Sequence, residues 1–250
     1  METPDDFAAP PDEGVNRNLN GQKLGRKGRD TRARIIAAAN ALVSQDSDIP
    51  VTLSAVARKS GLGMTSLYLY FNDLTELLLA VLEPVMEEAE AYLKLIRLRW
   101  PDEELADHCR AFAAAYYAFW QENSRILHLR NSLADQNDQR MLQQCVSGAE
   151  ALIGPLVEQM NGNLQHPQSP NFALAVMLVT GIERAASIRT DIALPGLLVD
   201  RMILAPDRFL HPAARLLELG IRDARAGFGS NQPSLPLPPT PLRYSSTPLI

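Results

Sequence analysis

Two cysteines and four histidines are all the soft metal ligands that 250 residues offer. Cys109 and Cys145 each fall inside a predicted helix, which argues against a disulfide framework and fits a reducing cytoplasm. The histidines are scattered at 108, 128, 166 and 211. His108 and Cys109 are neighbours on one predicted helix, so their side chains diverge by about 100° and do not easily share a metal. A Gly-rich phosphate loop, GxSxG, HExxH and CxxC are all missing, and with them the commonest signs of nucleotide, hydrolase, metalloprotease and redox chemistry. We expect no cofactor, no metal and no catalytic residue. The longest apolar run, Phe172 to Ile182 with one Thr and one Gly, falls short of the roughly 20 residues a bilayer span needs. The N-terminal METPDDFAAPPDEG is acidic and lacks the apolar stretch of a signal peptide.

An overall positive charge is also lacking. The net charge is −5, which taken alone argues against a nucleic-acid partner. Its distribution reverses that reading. Residues 21–70 carry Lys23, Arg26, Lys27, Arg29, Arg32, Arg34, Arg58 and Lys59 against Asp30, Asp46 and Asp48. This segment is therefore +5 and the remainder −10. A basic module on an acidic body is expected where one end of a molecule meets phosphate.

What the chain does have is PVTLSAVARKSGLGMTSLYLYF at 50–71. Thr52 can cap a helix starting at Leu53, its hydroxyl taking an orphan backbone N–H. Leu53, Val56 and Ala57 share one face of that helix. Small Ala57 lets a second helix approach, and Gly61 stands where the first must stop and a left-handed residue is wanted. Leu62 plugs the space between the two. Leu67 and Phe71, four apart, make the buried side of the second helix. This is the outline of a helix-turn-helix, which sets one helix in the major groove. The bland alternative is an ordinary helical hairpin.

These residues resemble the DNA-binding domain of the TetR family of transcriptional regulators. The likeness runs from Thr31 to about Leu82. It rests on Thr31-Arg32, Ile35-Ile36, Ala38-Ala39, Val56-Ala57, Gly61-Leu62 and Leu67-Tyr68-Leu69-Tyr70-Phe71, followed by Leu77-Leu78 and Ala80-Val81. It implies an all-α homodimer in which three helices bind an operator of palindromic or near-palindromic double-stranded DNA. Further helices would form a small-molecule pocket and a dimer interface, and effector binding would release the DNA. By position, base reading falls on Met64, Thr65, Ser66 and Leu69, with Ser54 on the preceding helix; phosphate contact falls on Thr52, Tyr68 and Tyr70. Two departures stand out. The Lys usual at the start of the fourth helix is Leu74, and the recognition-helix cap is Gly63 rather than Ser or Thr.

The rest divides by composition. Residues 1–20 lack periodicity and read as a disordered tail. Residues 21–30 read as a basic arm, in which Lys23, Arg26, Lys27 and Arg29 either are simply solvated or contact DNA. Residues 31–72 form the DNA-binding domain, with a first helix from about Thr31 to Ser44 capped by Asp30. Residues 73–228 form a helical ligand-binding and dimerisation domain, and the Pro-rich 229–250 segment reads as disordered or extended. Asp73 and Glu76 have capping-box spacing. Pro84 predicts a kink near Ala80. Pro101 suits a first helical position, Ser169-Pro170 opens a helix to about Arg189, and a last helix lies between Pro212 and Ala226. Phe112, Tyr116, Phe119 and Trp120 read first as core, but a pocket would lie between them and the helix bearing Cys145, with Tyr116 and His128 as hydrogen-bonding groups. The helix at 171–189 is apolar all round over its first half. It must be covered on every side, either within its own subunit or by a partner at Met177, Gly181 and Ala185. Three functions fit this chain: a ligand-responsive cytoplasmic repressor, a regulator without a ligand, and a helical enzyme or carrier whose helix-turn-helix is only structural.

Overall fold

The computed structural model describes residues 24–45, 50–162, 169–191 and 206–227. Expectations for residues 1–20, Lys23 and the Pro-rich 229–250 segment lie outside them. The chain is all-α, as expected. In chain order the helices are α1 (Arg26–Val43), α2 (Leu53–Ser60), α3 (Met64–Leu67), α4 (Leu74–Glu88), α5 (Glu90–Arg97), α6 (Leu105–Glu122), α7 (Ser124–Asp135), α8 (Gln139–Gln159), α9 (Pro170–Thr190) and α10 (Pro206–Arg225).

Side-chain caps set where several helices begin. Thr52 accepts from the Ala55 amide, Asp73 from Glu76, Asp138 from Arg140 and Met141, and Ser169 from Phe172. Glu76 reaches back to the Asn72 amide at 2.7 Å, one residue ahead of the reciprocal partner in the standard capping box.

The first helix departs from expectation. Leu24 is buried and seats so closely on Gly28 that a Cβ there would lie 2.8 Å from Leu24 Cδ2. Arg29 Nη1 donates to the Leu24 carbonyl at 2.9 Å, and Thr31 Oγ1 to that of Lys27. The helix therefore starts at Arg26, with Gly25 as its cap and Asp30 inside it. Arg26, Lys27 and Arg29 stand on its first turns, not on an arm ahead of it.

α1, α2, α3 and α4 close around Ile35, Ala39, Val56, Leu67, Phe71 and Leu77, all buried. Behind them the body is built on α6, which packs against α5, α7, α9 and α10, while α8 covers α7 and α9. The core is one contiguous cluster through both regions. α4 runs unbroken past Ala80, where Pro84 had predicted a kink; the interruption comes at Ala89, between α4 and α5.

Pro101 does not open a helix. Arg225 Nη1 takes Asp102 Oδ1 at 2.5 Å and Arg222 Nη2 takes the Asp102 carbonyl, so residues 102–104 form a turn and α6 begins at Leu105. The same Arg225 donates to the carbonyls of Gln159 and Trp100. Gln159, itself buried, donates to the carbonyls of Ile96 and Leu98. This polar knot joins the α5–α6 corner, α8 and α10.

α10 starts at Pro206, ahead of the expected Pro212, which lies inside it. It approaches α9 at Gly220, where a Cβ would stand 2.8 Å from Leu178 Cδ1. α9 is not covered on all sides. Ala175, Leu178, Val179, Ile182 and Ala186 face inward, whereas Ala173, Met177, Thr180, Gly181, Arg184 and Ile188 form an exposed stripe. By length and composition alone this 21-residue helix could cross a membrane, which corrects the shorter span expected from its apolar run.

Candidate nucleic-acid interface and ligand cavity

The turn after α2 is built as its residue types dictate. Gly61 has φ 68° and ψ 30°, the left-handed conformation, and the Leu62 amide returns to the Ala57 carbonyl at 2.9 Å. That closure aims α3. α3 has only four residues, yet helical bonding continues through Tyr68, Leu69, Tyr70 and Phe71, whose amides donate to the carbonyls of Met64, Ser66, Leu67 and Leu67. Leu67 and Phe71 are buried. The guanidinium of Arg32 lies 5.2 Å from the Phe71 ring centroid, an attractive cation–π distance, so this arginine braces the domain.

Anchoring through Leu67 and Phe71 turns the other faces outward. Ser54, Thr65, Tyr68 and Leu69 are exposed, and Thr52, Met64, Ser66 and Tyr70 are half-buried. Met64 and Tyr70 pack against the core. Thr52 Oγ1 is already shared between the Ala55 amide and Ser54 Oγ. Tyr68 and Leu69 are 48% and 44% exposed, and Arg58 and Lys59 at the end of α2 are exposed too. Leu74, where the resemblance leads one to expect a lysine, is half-buried against the core.

A line of bonds ties this region to the body. Thr75 Oγ1 donates to Asp138 Oδ2 at 2.7 Å, and Arg140 Nη2 reaches Asp73 Oδ2 at 2.9 Å. The Thr75 hydroxyl, helped by Arg140, holds the Asp138 carboxyl below its ordinary range. Partial burial acts to raise Asp73, but the Arg140 bond and the Glu76 amide outweigh it and the net shift is downward. The start of α4 is thus fastened to the turn between α7 and α8.

The six residues expected around a pocket divide among three hollows. Tyr116, Phe119, Trp120 and Cys145 line an enclosed void of about 20 Å³. Phe112 and Tyr116 line another of about 10 Å³ with Ile96 and Leu217. His128 and Cys145 line an open cavity of about 460 Å³ between α7, α8 and α9. His128 Nε2 stands 3.3 Å from Thr190 Oγ1, and burial lowers its pKa. Burial pushes the phenols of Tyr92, to about 12, and of Tyr116 upward. Sequence reasoning missed Tyr92, which meets Phe112, Tyr116 and Phe119 edge to face, and the pair of buried Arg130 with half-buried Glu183 at 3.1 Å. One signal pointed to Arg130: it sits on the apolar side of its helix, four after Ile126 and three after Leu127. Cys109 is buried in the core, which raises its thiol to about 12. Among the described residues no three His, Cys, Asp or Glu side chains gather as a metal site would require.

The described residues thus define an all-helical chain with a helix-turn-helix ahead of a larger helical body. No family model and no curated protein matches it. Among solved structures it is similar to a TetR-like transcriptional regulator from Rhodococcus sp. RHA1, at 18% identity and a TM-score of 0.47, over 82% of this chain and 100% of that one. A likeness that remote carries no weight for function.

Proposed function

We propose that this chain is a transcriptional regulator of the TetR type rather than an enzyme. In this reading it is a cytoplasmic homodimeric repressor that leaves its operator when a small molecule binds its body. The observation that carries this reading is the outward face of α3. Leu67 and Phe71 anchor it while Thr65, Tyr68 and Leu69 stand exposed, and Ser54, Arg58 and Lys59 on α2 are exposed as well. Tyr68 and Leu69, 48% and 44% exposed, are free to meet a partner from this face. Thr and Leu read bases weakly by hydrogen bonding, so specificity rests on contact with thymine methyls and on DNA shape.

α9 exposes Met177 and Ile188, and α10, which packs against it, exposes Leu216 and Leu219. Two copies of this helix pair make a self-complementary contact of the kind two-fold dimers use. The bonds from Asp73 and Thr75 to the α7–α8 turn supply the route from cavity to recognition helix.

Fluorescence anisotropy with a duplex taken from upstream of the chain's own gene tests the reading. Tight, salt-dependent and sequence-selective binding is expected, and affinity equal to that for a scrambled duplex sinks it. Replacing Arg26 and Lys27 with Ala should flatten the slope of log affinity against log salt by about 0.9 for each phosphate no longer neutralised.

A further inference from the structure

Arg130 is one of the few charged side chains buried in the body, 5% exposed. Its Nε donates to Asn131 Oδ1 at 3.0 Å and its Nη2 to Glu183 Oε1 at 3.1 Å. Cys145 Sγ also donates to Asn131 Oδ1. Nη1 faces Gly148, 3.9 Å from where a Cβ would stand. Arg130 lines a small aromatic void with Tyr92, Tyr116 and Trp120. The open cavity of about 460 Å³ has Ser132, Asp135, Thr180, Arg184 and Ser187 in its wall and reaches Arg130 only across Glu183. Glu183 and Cys145 line both. The open cavity has the size of an ordinary small-molecule site.

The two partners of the pair are not equivalent. The Glu183 side chain is 29% exposed and borders the open cavity, whereas Arg130 is 5% exposed. If the pair opens, Glu183 can turn into water and Arg130 cannot follow. A buried guanidinium left alone is strongly unfavourable, so the vacated position must receive another anion. A cationic ligand could engage Glu183 only by orphaning Arg130. The planar fork of a guanidinium matches a carboxylate bidentately.

We propose that the cavity between α7, α8 and α9 binds a small organic carboxylate, which takes the place of Glu183 on Arg130. That this ligand acts as the effector rests on the regulatory reading above; its binding does not. The exchange would release α9, which carries the exposed apolar stripe, from α7, which leads into the turn holding α4.

Benzoate and its uncharged analogue benzamide test this on the full chain, with ionic strength held constant by chloride and tryptophan fluorescence as the readout beside Trp120. Saturable binding of benzoate but not benzamide is expected. Glu183→Gln removes the internal competitor and should bind benzoate about tenfold tighter, a difference of about 1.4 kcal/mol. Equal binding of benzamide, or a Glu183→Gln protein that takes up benzoate no better than the wild type, overturns the proposal; absence of binding in both is included. Should Glu183→Gln not fold, Glu183→Ala is refolded with acetate or acetamide. Rescue by acetate alone supports the site, and no rescue overturns it. DNA binding is measured on the same samples. DNA affinity without benzoate uptake removes this inference only, while benzoate uptake without any DNA affinity removes the regulatory reading only.

Discussion

Gly61 shows how much a single residue decides in the recognition unit. Its φ of 68° lies where a side chain crowds the following carbonyl, and nothing else stands within 4 Å of a Cβ built there. The cost of Gly61→Ala is therefore backbone strain alone, roughly 1 to 2 kcal/mol. Urea denaturation should show that loss, with DNA affinity near normal wherever the protein is still folded. If stability is unchanged, the left-handed turn is not what closes α2. The opposite situation holds at Gly220, where the backbone is helical and the constraint is the Leu178 side chain of α9. Both glycines are visible in the sequence, but only Gly61 announces its role, because it follows an apolar helical pattern and precedes Leu62. Gly220 sits inside α10 with no local reason to be there, and its partner lies 42 residues away by the numbering.

At the scale of elements, what the sequence revealed depended on whether the cause was local. Thr52, Asp73 and Ser169 are caps, and each helix start they mark was legible because the bond spans three residues. The start of α1 was not, since Gly25 offers no capping side chain and the anchor is one leucine among basic and glycine residues. Pro101 misled because proline signals a helix start only where no distant partner competes, and Arg225 claims Asp102 from 123 positions away; Pro212 misled because α10 already begins at Pro206. The outward face of α3 was legible from Leu67 and Phe71, whereas the Arg130–Glu183 pair joins two helices that no motif links. The bonds between α4 and the α7–α8 turn belong to this hidden class and carry a prediction. Thr75→Val keeps the shape of a buried side chain but deletes its donor to Asp138, at a cost of about 1 kcal/mol. Ligand-free DNA affinity should persist while the response to a bound ligand weakens; an unaltered response would show that the signal travels elsewhere. The pH sign follows from the carboxyls. Asp73 and Asp138 are held below their ordinary values in the folded state. Their contribution is complete above the unfolded carboxyl range and is lost only as pH falls through the lowered folded values. A thermal-melt series should show the wild type losing its advantage over Asp138→Asn below about pH 4, and not between pH 5 and 8.

For the whole molecule, charge and apolar surface are sorted to different places. α1 and the end of α2 are rich in basic residues, while exposed large apolar side chains stand at Tyr68 and Leu69, at Leu98, on α8 at Leu142 and Val146, and along α9 and α10. Met177 is 72% exposed, with Leu216 at 51% and Leu219 at 48%. In the dimer proposed above, a second copy of this chain would cover this surface with its own. Gly181 lies on this stripe with open space before it, so Gly181→Glu disturbs nothing within one subunit. In a dimer closed by α9 and α10 it would bury an unpaired carboxylate, and the dissociation constant should rise by about two orders of magnitude, roughly 3 kcal/mol. Sedimentation velocity at micromolar protein should then report monomer for Gly181→Glu and dimer for Gly181→Ala. Operator affinity should fall together with the dimer, because a monomer engages only one half-site. A Gly181→Glu protein that remains dimeric would place the interface on another face and leave Met177, Leu216 and Leu219 to be explained by a different partner.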